Sequence, residues 1–200
     1  MKLAVIGTHG VGKTTLSLAL AAEANKRGRN ACHIGEVVRG SPFEINENNS
    51  ADGAYWIVST QIRMELEAKA RGYQDIICDR SSIDPMIYMS VVGGEYDVGL
   101  FSSWYNLALS WLHTYDMIVL MKSDNHISIK PDGVRSTDKK FRDLINDEFI
   151  KFIETLDSEI FSNKILNYQE FLNDSYPDCE RRDEDDYIDI MNKFYSLEKK

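Results

Sequence analysis

The sequence predicts an α/β protein: a five-stranded, mostly parallel sheet with helices on both faces. Three observations carry this. The first fifteen residues read as strand, glycine turn and helix in immediate succession. Four more short apolar runs follow, within Ala31–Ile34, Asp75–Asp79, Tyr115–Met121 and Lys164–Asn167, and several are rich enough in Ile and Val to be strands buried on both faces. Between them lie segments whose apolar residues recur at helical spacing. A length of 200 residues with no internal repeat favours one domain spanning 1–200.

The opening stretch sets the chemistry. After Lys2–Ile6 comes Gly7-Thr8-His9-Gly10-Val11-Gly12-Lys13-Thr14-Thr15, which fits G-x-x-x-x-G-K-[ST] at Gly7, Gly12, Lys13 and Thr14. The glycines let the backbone turn sharply and expose successive N–H groups to an anion. A helix starting near Lys13 aims its positive end at the same place. The Lys13 ammonium can reach the outer phosphates, and the Thr14 hydroxyl can ligate Mg²⁺. At average residue frequencies the pattern arises by chance in roughly one chain of this length in a hundred. Its placement between strand and helix lowers those odds, so residues 7–15 are taken as the binding loop for ATP or a similar triphosphate.

Composition sets the bounds. The formal net charge of −9 argues against a broad grip on nucleic acid or anionic membrane. Cys32, Cys78 and Cys179 lack metal-ligand spacing and are expected as reduced thiols. No apolar run reaches membrane-spanning length. A phosphate loop beginning at Gly7 leaves no room for a secretory leader, and the expected location is cytoplasmic.

The first helix is expected from Lys13 to Arg27, stopped by Gly28. Glu36 and Arg39 follow the second strand, at the end of an open sheet where ligands bind, and are candidate site residues. Ser41 to Asp52 reads as a polar loop or mobile flap. Gly53 to Arg71 is expected as a helix with Ile57, Ile62, Leu66 and Ala70 on one face; Trp56 suits either core or ligand, and Gln61 is a candidate ligand contact. Asp79 ends an apolar run, where an acid holds Mg²⁺ or orients a nucleophile. Arg80 beside it can neutralise phosphoryl charge. Asp84 before Pro85 is both a site candidate and a helix N-cap candidate.

Further on, Gly99 to His113 is expected as a helix with Trp104, Leu107, Leu109 and Trp111 in the core. His113 and His126 read as structural or surface residues. Five of the 23 basic residues fall within 130–142, which suits a lid at about 122–142 closing over triphosphate. Thr137 or Asp138 can cap the next helix, expected to reach Asp157 with Phe141, Leu144, Ile145, Phe149, Phe152 and Ile153 buried. An acidic connector and a last amphipathic helix are expected over about 174–200.

Together these residues resemble the P-loop kinases of nucleosides and nucleotides, and most of all the nicotinamide-ribonucleoside-kinase-like group of small AAA-labelled proteins. The features that carry the resemblance are the Gly7–Thr15 loop, Glu36 and Arg39, Gln61, Asp79-Arg80 with Asp84 and Tyr88, and Asp132-Gly-Val-Arg135-Ser-Thr137. It covers roughly residues 1–160. It implies a three-layer P-loop NTPase fold with strand order 2-3-1-4-5. It also implies a Mg²⁺-dependent transfer of the ATP γ-phosphate to a small-molecule nucleoside or nucleotide acceptor. By the same resemblance Glu36 takes the acceptor's proton, Gln61 reads the base, and Arg80 supports the site. Deoxynucleoside kinases commonly have Glu-Pro after the second strand; here Val37 follows Glu36, so Glu36 and Asp79 both stand as candidate bases. Arg135 is the candidate lid arginine on the triphosphate.

Two other readings compete. One keeps the chemistry and moves the acceptor to a hydroxymethylated pyrimidine within DNA, with Lys139, Lys140 and Arg142 on phosphates. The other is a GTPase-like switch, disfavoured because Met121-Lys122-Ser123-Asp124 only partly echoes Asn-Lys-x-Asp. The expected partner is the small-molecule acceptor, with no membrane; a homodimer is left open.

Overall fold

In a computed structural model the strands Lys2–Ile6 (β1), Ala31–Ile34 (β2), Asp75–Asp79 (β3), Met117–Leu120 (β4) and Ile165–Asn167 (β5) form one parallel sheet. Its order is β2-β3-β1-β4-β5, as the resemblance implies. The structure describes residues 1–123, 138–156, 158–175 and 186–198. The expected lid core with Arg135, together with His126 and Cys179, lies outside the described residues.

Eight helices accompany the strands among the described residues: Lys13–Lys26 (α1), Ala51–Ala70 (α2), Asp84–Val92 (α3), Val98–Trp111 (α4), Lys139–Thr155 (α5), Ser158–Phe161 (α6), Tyr168–Ser175 (α7) and Asp186–Ser196 (α8). Alternation along β1 separates the two cores. Leu3 and Val5 pack with Leu16 and Leu20 of α1 and Ile190 and Phe194 of α8. Ala4 and Ile6 pack with residues of α2, α3 and α5 on the other face. The result is three layers, with β1 buried throughout at the centre. No described helix is long and apolar enough to cross a membrane.

Several helix faces differ from the sequence expectation. In α2 the buried residues include Ala54, Ile57, Val58, Gln61, Glu65 and Ala68, while Leu66 is 50% exposed and Ala70 is exposed. The reason is polar. Buried Glu65 accepts from Lys2 Nζ at 2.5 Å, Gln61 Nε2 at 2.8 Å, Trp111 Nε1 at 2.7 Å and Tyr115 OH at 2.6 Å. A carboxylate with this many donors is a satisfied core group, so the true face turns toward two polar residues that an apolar count skips.

In α4 the expected core is shallower, with only Ala108 buried; Trp104 stacks on Tyr55 and Leu107 is 44% exposed. In α5 Arg142 is buried and Leu144 is exposed, and the helix stops at Thr155 instead of Asp157. Asp138 caps α5, its Oδ1 accepting from Lys140 N and Phe141 N. Asp84 does not cap α3. The residue at the cap position is Ile83, and Asp84 Oδ2 instead accepts from Ser81 N at 2.9 Å and Ser81 Oγ at 2.7 Å.

Candidate active site

The C-terminal ends of β1 and β3 lie side by side, with Val5 in register with Asp79. The glycine loop leaves β1 there, with Gly7, Gly10 and Gly12 at φ of +130°, +75° and +91°. Gly7 also meets a steric limit, because a Cβ on it would stand 2.2 Å from the Met121 carbonyl oxygen. Thr8 Oγ1 donates to the Arg142 carbonyl at 3.0 Å and so ties the loop to α5. Val11 is buried in the α1 core, and Thr15 is exposed at the start of α1.

Lys13 is buried, and its Nζ donates to the Thr8 carbonyl at 2.6 Å. Burial, reinforced by the Arg80 charge, lowers its pKa to about 7. Asp84, Glu36 and Asp79 pull the other way without reversing the shift. Thr14 Oγ1 donates to Asp79 Oδ2 at 2.5 Å, and the buried Asp79 Oδ1 has no hydrogen-bond partner. A hydroxyl and a carboxylate with a spare oxygen are hard donors of the kind Mg²⁺ takes. No group of three or more His, Cys, Asp or Glu side chains capable of holding a metal occurs among the described residues.

Arg80 has φ +88°, outside the usual range of a non-glycine residue. Its N–H donates to the Val5 carbonyl. Its Nε and Nη2 lie 2.8 and 2.7 Å from Glu36 Oε1, its Nη1 lies 3.6 Å from Asp84 Oδ1, and its guanidinium covers the Tyr88 ring at 5.3 Å. Arg39 Nε donates to the other Glu36 oxygen at 2.8 Å. Burial would raise the Glu36 pKa, but Arg80, then Lys13 and Arg39, draw it down to about 2. For Asp84 the balance reverses, and burial raises its pKa against the pull of Arg80 and Lys13.

These groups surround a cavity of about 40 Å³. Its polar wall is His9, Glu36, Arg80, Asp84, Tyr88, Asn46 and Asn49, and its apolar wall is Val38, Ile45, Ile57 and Pro85. His9 belongs to the glycine loop, and its Nδ1 shares a hydrogen bond with Tyr88 OH at 3.1 Å while its ring stacks on Phe141 of α5. The phosphate loop and the cavity therefore share a wall.

Of the candidates named from sequence, the loop, Glu36, Arg39, Asp79, Arg80 and Asp84 come together. Gln61 does not join them: it is 1% exposed, donates to Glu65, and does not line the cavity. Trp56 is partly buried in α2 and also stands outside the cavity wall. Sequence reasoning missed Asn46 and Asn49 as wall residues, although the run of asparagines was the available signal. It also missed the link from His9 to Tyr88, for which a single sequence offers none.

Comparison with known proteins places the fold. A family model described as an AAA domain matches residues 2–170. No curated protein matches the sequence. A deoxyadenosine kinase from M. mycoides, solved with dCMP and a flexible dCDP, superposes with TM-score 0.59 at 18% identity, covering 98% of this chain and 100% of that one. A second structure of that kinase, with dATP, gives TM-score 0.57 at 16% identity, covering 98% and 99%. A thymidylate kinase from Ehrlichia chaffeensis gives TM-score 0.60 at 16% identity, covering 96% and 97%. The chain belongs to the AAA domain family and has the P-loop fold of the nucleoside and nucleotide kinases.

Proposed function

We propose that the protein is a kinase that transfers the γ-phosphoryl group of ATP to a hydroxyl of a nucleoside-type acceptor, with Mg²⁺. The observation that carries the reading is the shared wall: a cavity lined by Glu36 and Arg80 is also lined by His9 of the phosphate loop. An acceptor seated there lies next to the phosphates held by residues 7–15. In the step, the bond from the γ-phosphorus to the bridging oxygen of ADP breaks as one to the acceptor oxygen forms, and the hydroxyl proton passes to a carboxylate.

Glu36 suits that carboxylate better than Asp79, because Glu36 lines the cavity and Asp79 does not. Asp79 and Thr14 would hold the Mg²⁺, which supplies charge neutralisation on the phosphates. Lys13, Arg80 and the lid residue Arg135 would stabilise charge on the transferred group. Among the described wall residues Glu36 and Asp84 stand against Arg80. That balance favours a neutral hydroxyl over an acceptor that already carries phosphate. The structural neighbours support the coarser class of nucleoside or nucleotide acceptor: deoxyadenosine kinase is named for a nucleoside and thymidylate kinase for a monophosphate.

The test is transfer of label from [γ-³²P]ATP with Mg²⁺ to nucleosides, to nucleoside monophosphates and to duplex DNA containing hydroxymethylated pyrimidine. Label on free nucleosides, lost in Lys13→Ala, is the expected result. Label confined to monophosphates or to DNA would replace the nucleoside assignment. Arg135→Ala is expected to slow transfer while leaving most ATP affinity, and an unchanged rate would remove Arg135 from the site.

A further inference from the structure

Asn49 closes the turn Asn46–Asn48 and precedes Ser50, the residue that caps α2. It stands in the cavity wall, and its Oδ1 is buried without a hydrogen-bond partner. The fold gives this carboxamide no task. Its backbone N–H donates to the Asn46 carbonyl, which any residue but proline could do, and the helix is capped by Ser50 Oγ on Gly53 N. A buried amide oxygen without a donor is destabilising, and an apolar side chain of similar size would avoid that penalty.

The fold nevertheless makes room for it. A Cβ on Gly53 would lie 3.0 Å from Asn49 Oδ1 and 3.1 Å from Phe43 Cβ, so the first turn of α2 carries a glycine where alanine would favour the helix. Gln61 of α2 is already engaged with Glu65 in the core, whereas the wall amide of Asn49 keeps an unanswered oxygen.

Resting on the kinase reading above, we propose that Asn49 is the specificity residue that reads the acceptor's base. A carboxamide offers donors and an acceptor in one plane, which matches a heterocycle edge carrying an N–H beside a ring nitrogen or carbonyl. Val38, Ile45, Ile57 and Pro85 supply apolar surface for the faces of a planar ring. A sugar with hydroxyls around its rim would instead leave those groups unbonded against the same walls.

The experiment measures kcat/KM for the four common ribonucleosides and four deoxyribonucleosides at saturating Mg-ATP, in wild type, Asn49→Asp and Asn49→Leu. Asn49→Leu is expected to compress the ratio between best and worst base by at least about tenfold. Asn49→Asp, which keeps size but only accepts, is expected to shift preference toward bases with an amino group. ATP affinity should stay within about twofold in both, because the triphosphate contacts lie on the loop. Ratios within one variant are insensitive to partial unfolding. Equal losses on every nucleoside, unchanged ratios, or a wild type without base preference would overturn the assignment to Asn49 and leave the kinase reading standing. A wild type that phosphorylates no nucleoside would overturn both.

Discussion

Lys13 is the loop residue whose protonation a bound polyphosphate would change. Its pKa of about 7, against an ordinary 10.5, means that the ligand-free fold destabilises the ammonium. The unfolded chain holds more protons than the folded one between those values, so this group makes stability rise with pH from about 7 to 10.5. A bound polyphosphate would restore the charge, and on the kinase reading binding above pH 7 should take up a proton. Calorimetry of Mg-ATP binding at pH 8 in buffers of different ionisation enthalpy should show uptake approaching one proton, abolished in Lys13→Met; buffer-independent heats would contradict the buried-ammonium account.

Glu36 gives the same slope in a lower pH window. Its folded pKa of about 2 lies below the ordinary 4.5, so its stabilisation is present above 4.5 and is lost as pH falls toward 2. Glu36→Gln should therefore flatten the acid limb of the stability profile. If Glu36 is the base, the same change should lower kcat by about 10²- to 10⁴-fold with little change in ATP affinity. A kcat within threefold of wild type would return Asp79 as the candidate.

At the scale of elements, the glycine loop and the Asp138 cap of α5 are the places where sequence and geometry agree most closely. Gly7→Ala puts a methyl into the Met121 carbonyl at a φ that alanine avoids, and it should abolish nucleotide binding in protein that still shows helical circular dichroism. Asp138→Ala removes the cap of α5 and should lower stability by about 1 kcal/mol, read as a lower midpoint in urea. The strands were legible because Ile-Val runs between glycine stops have few other uses in an α/β chain. The faces of α2 and α5 were not, because Gln61, Glu65 and Arg142 point inward and periodicity counts only apolar side chains. Asp84 misled for a related reason: an acid before proline fits a cap, and only the three-dimensional approach of Ser81 and Arg80 gives it another place.

Across the whole molecule, Glu65 binds the layers together. Its donors come from β1, α2, α4 and the segment before β4, and Lys2 also stacks over the Trp111 and Tyr115 rings. Glu65→Ala leaves the Lys2 ammonium without its buried partner and should cost about 3–5 kcal/mol. The activity of the remaining folded fraction should change little, because Glu65 is absent from the cavity wall. A fall in kcat with unaltered stability would contradict that division. The parallel sheet was legible from the chain, and so was one half of the site, the loop with Asp79 and Arg80, because phosphate chemistry demands fixed residue types at fixed spacing. The other half was not. Acceptor walls gather single residues from Val38 to Tyr88 out of several elements, and no spacing rule joins Asn49 to Pro85.

The size of that chamber has a kinetic consequence. About 40 Å³ holds roughly three water molecules, far less than a nucleoside. On the kinase reading an acceptor would need a swing of part of this wall, and Ile45, Asn46 and Asn49 lie on its stretch outside the long helices. Thickening the solvent with glycerol or sucrose should slow kcat in proportion to viscosity when that swing governs the cycle, much as a stiff door, and not the transaction behind it, sets the length of a queue.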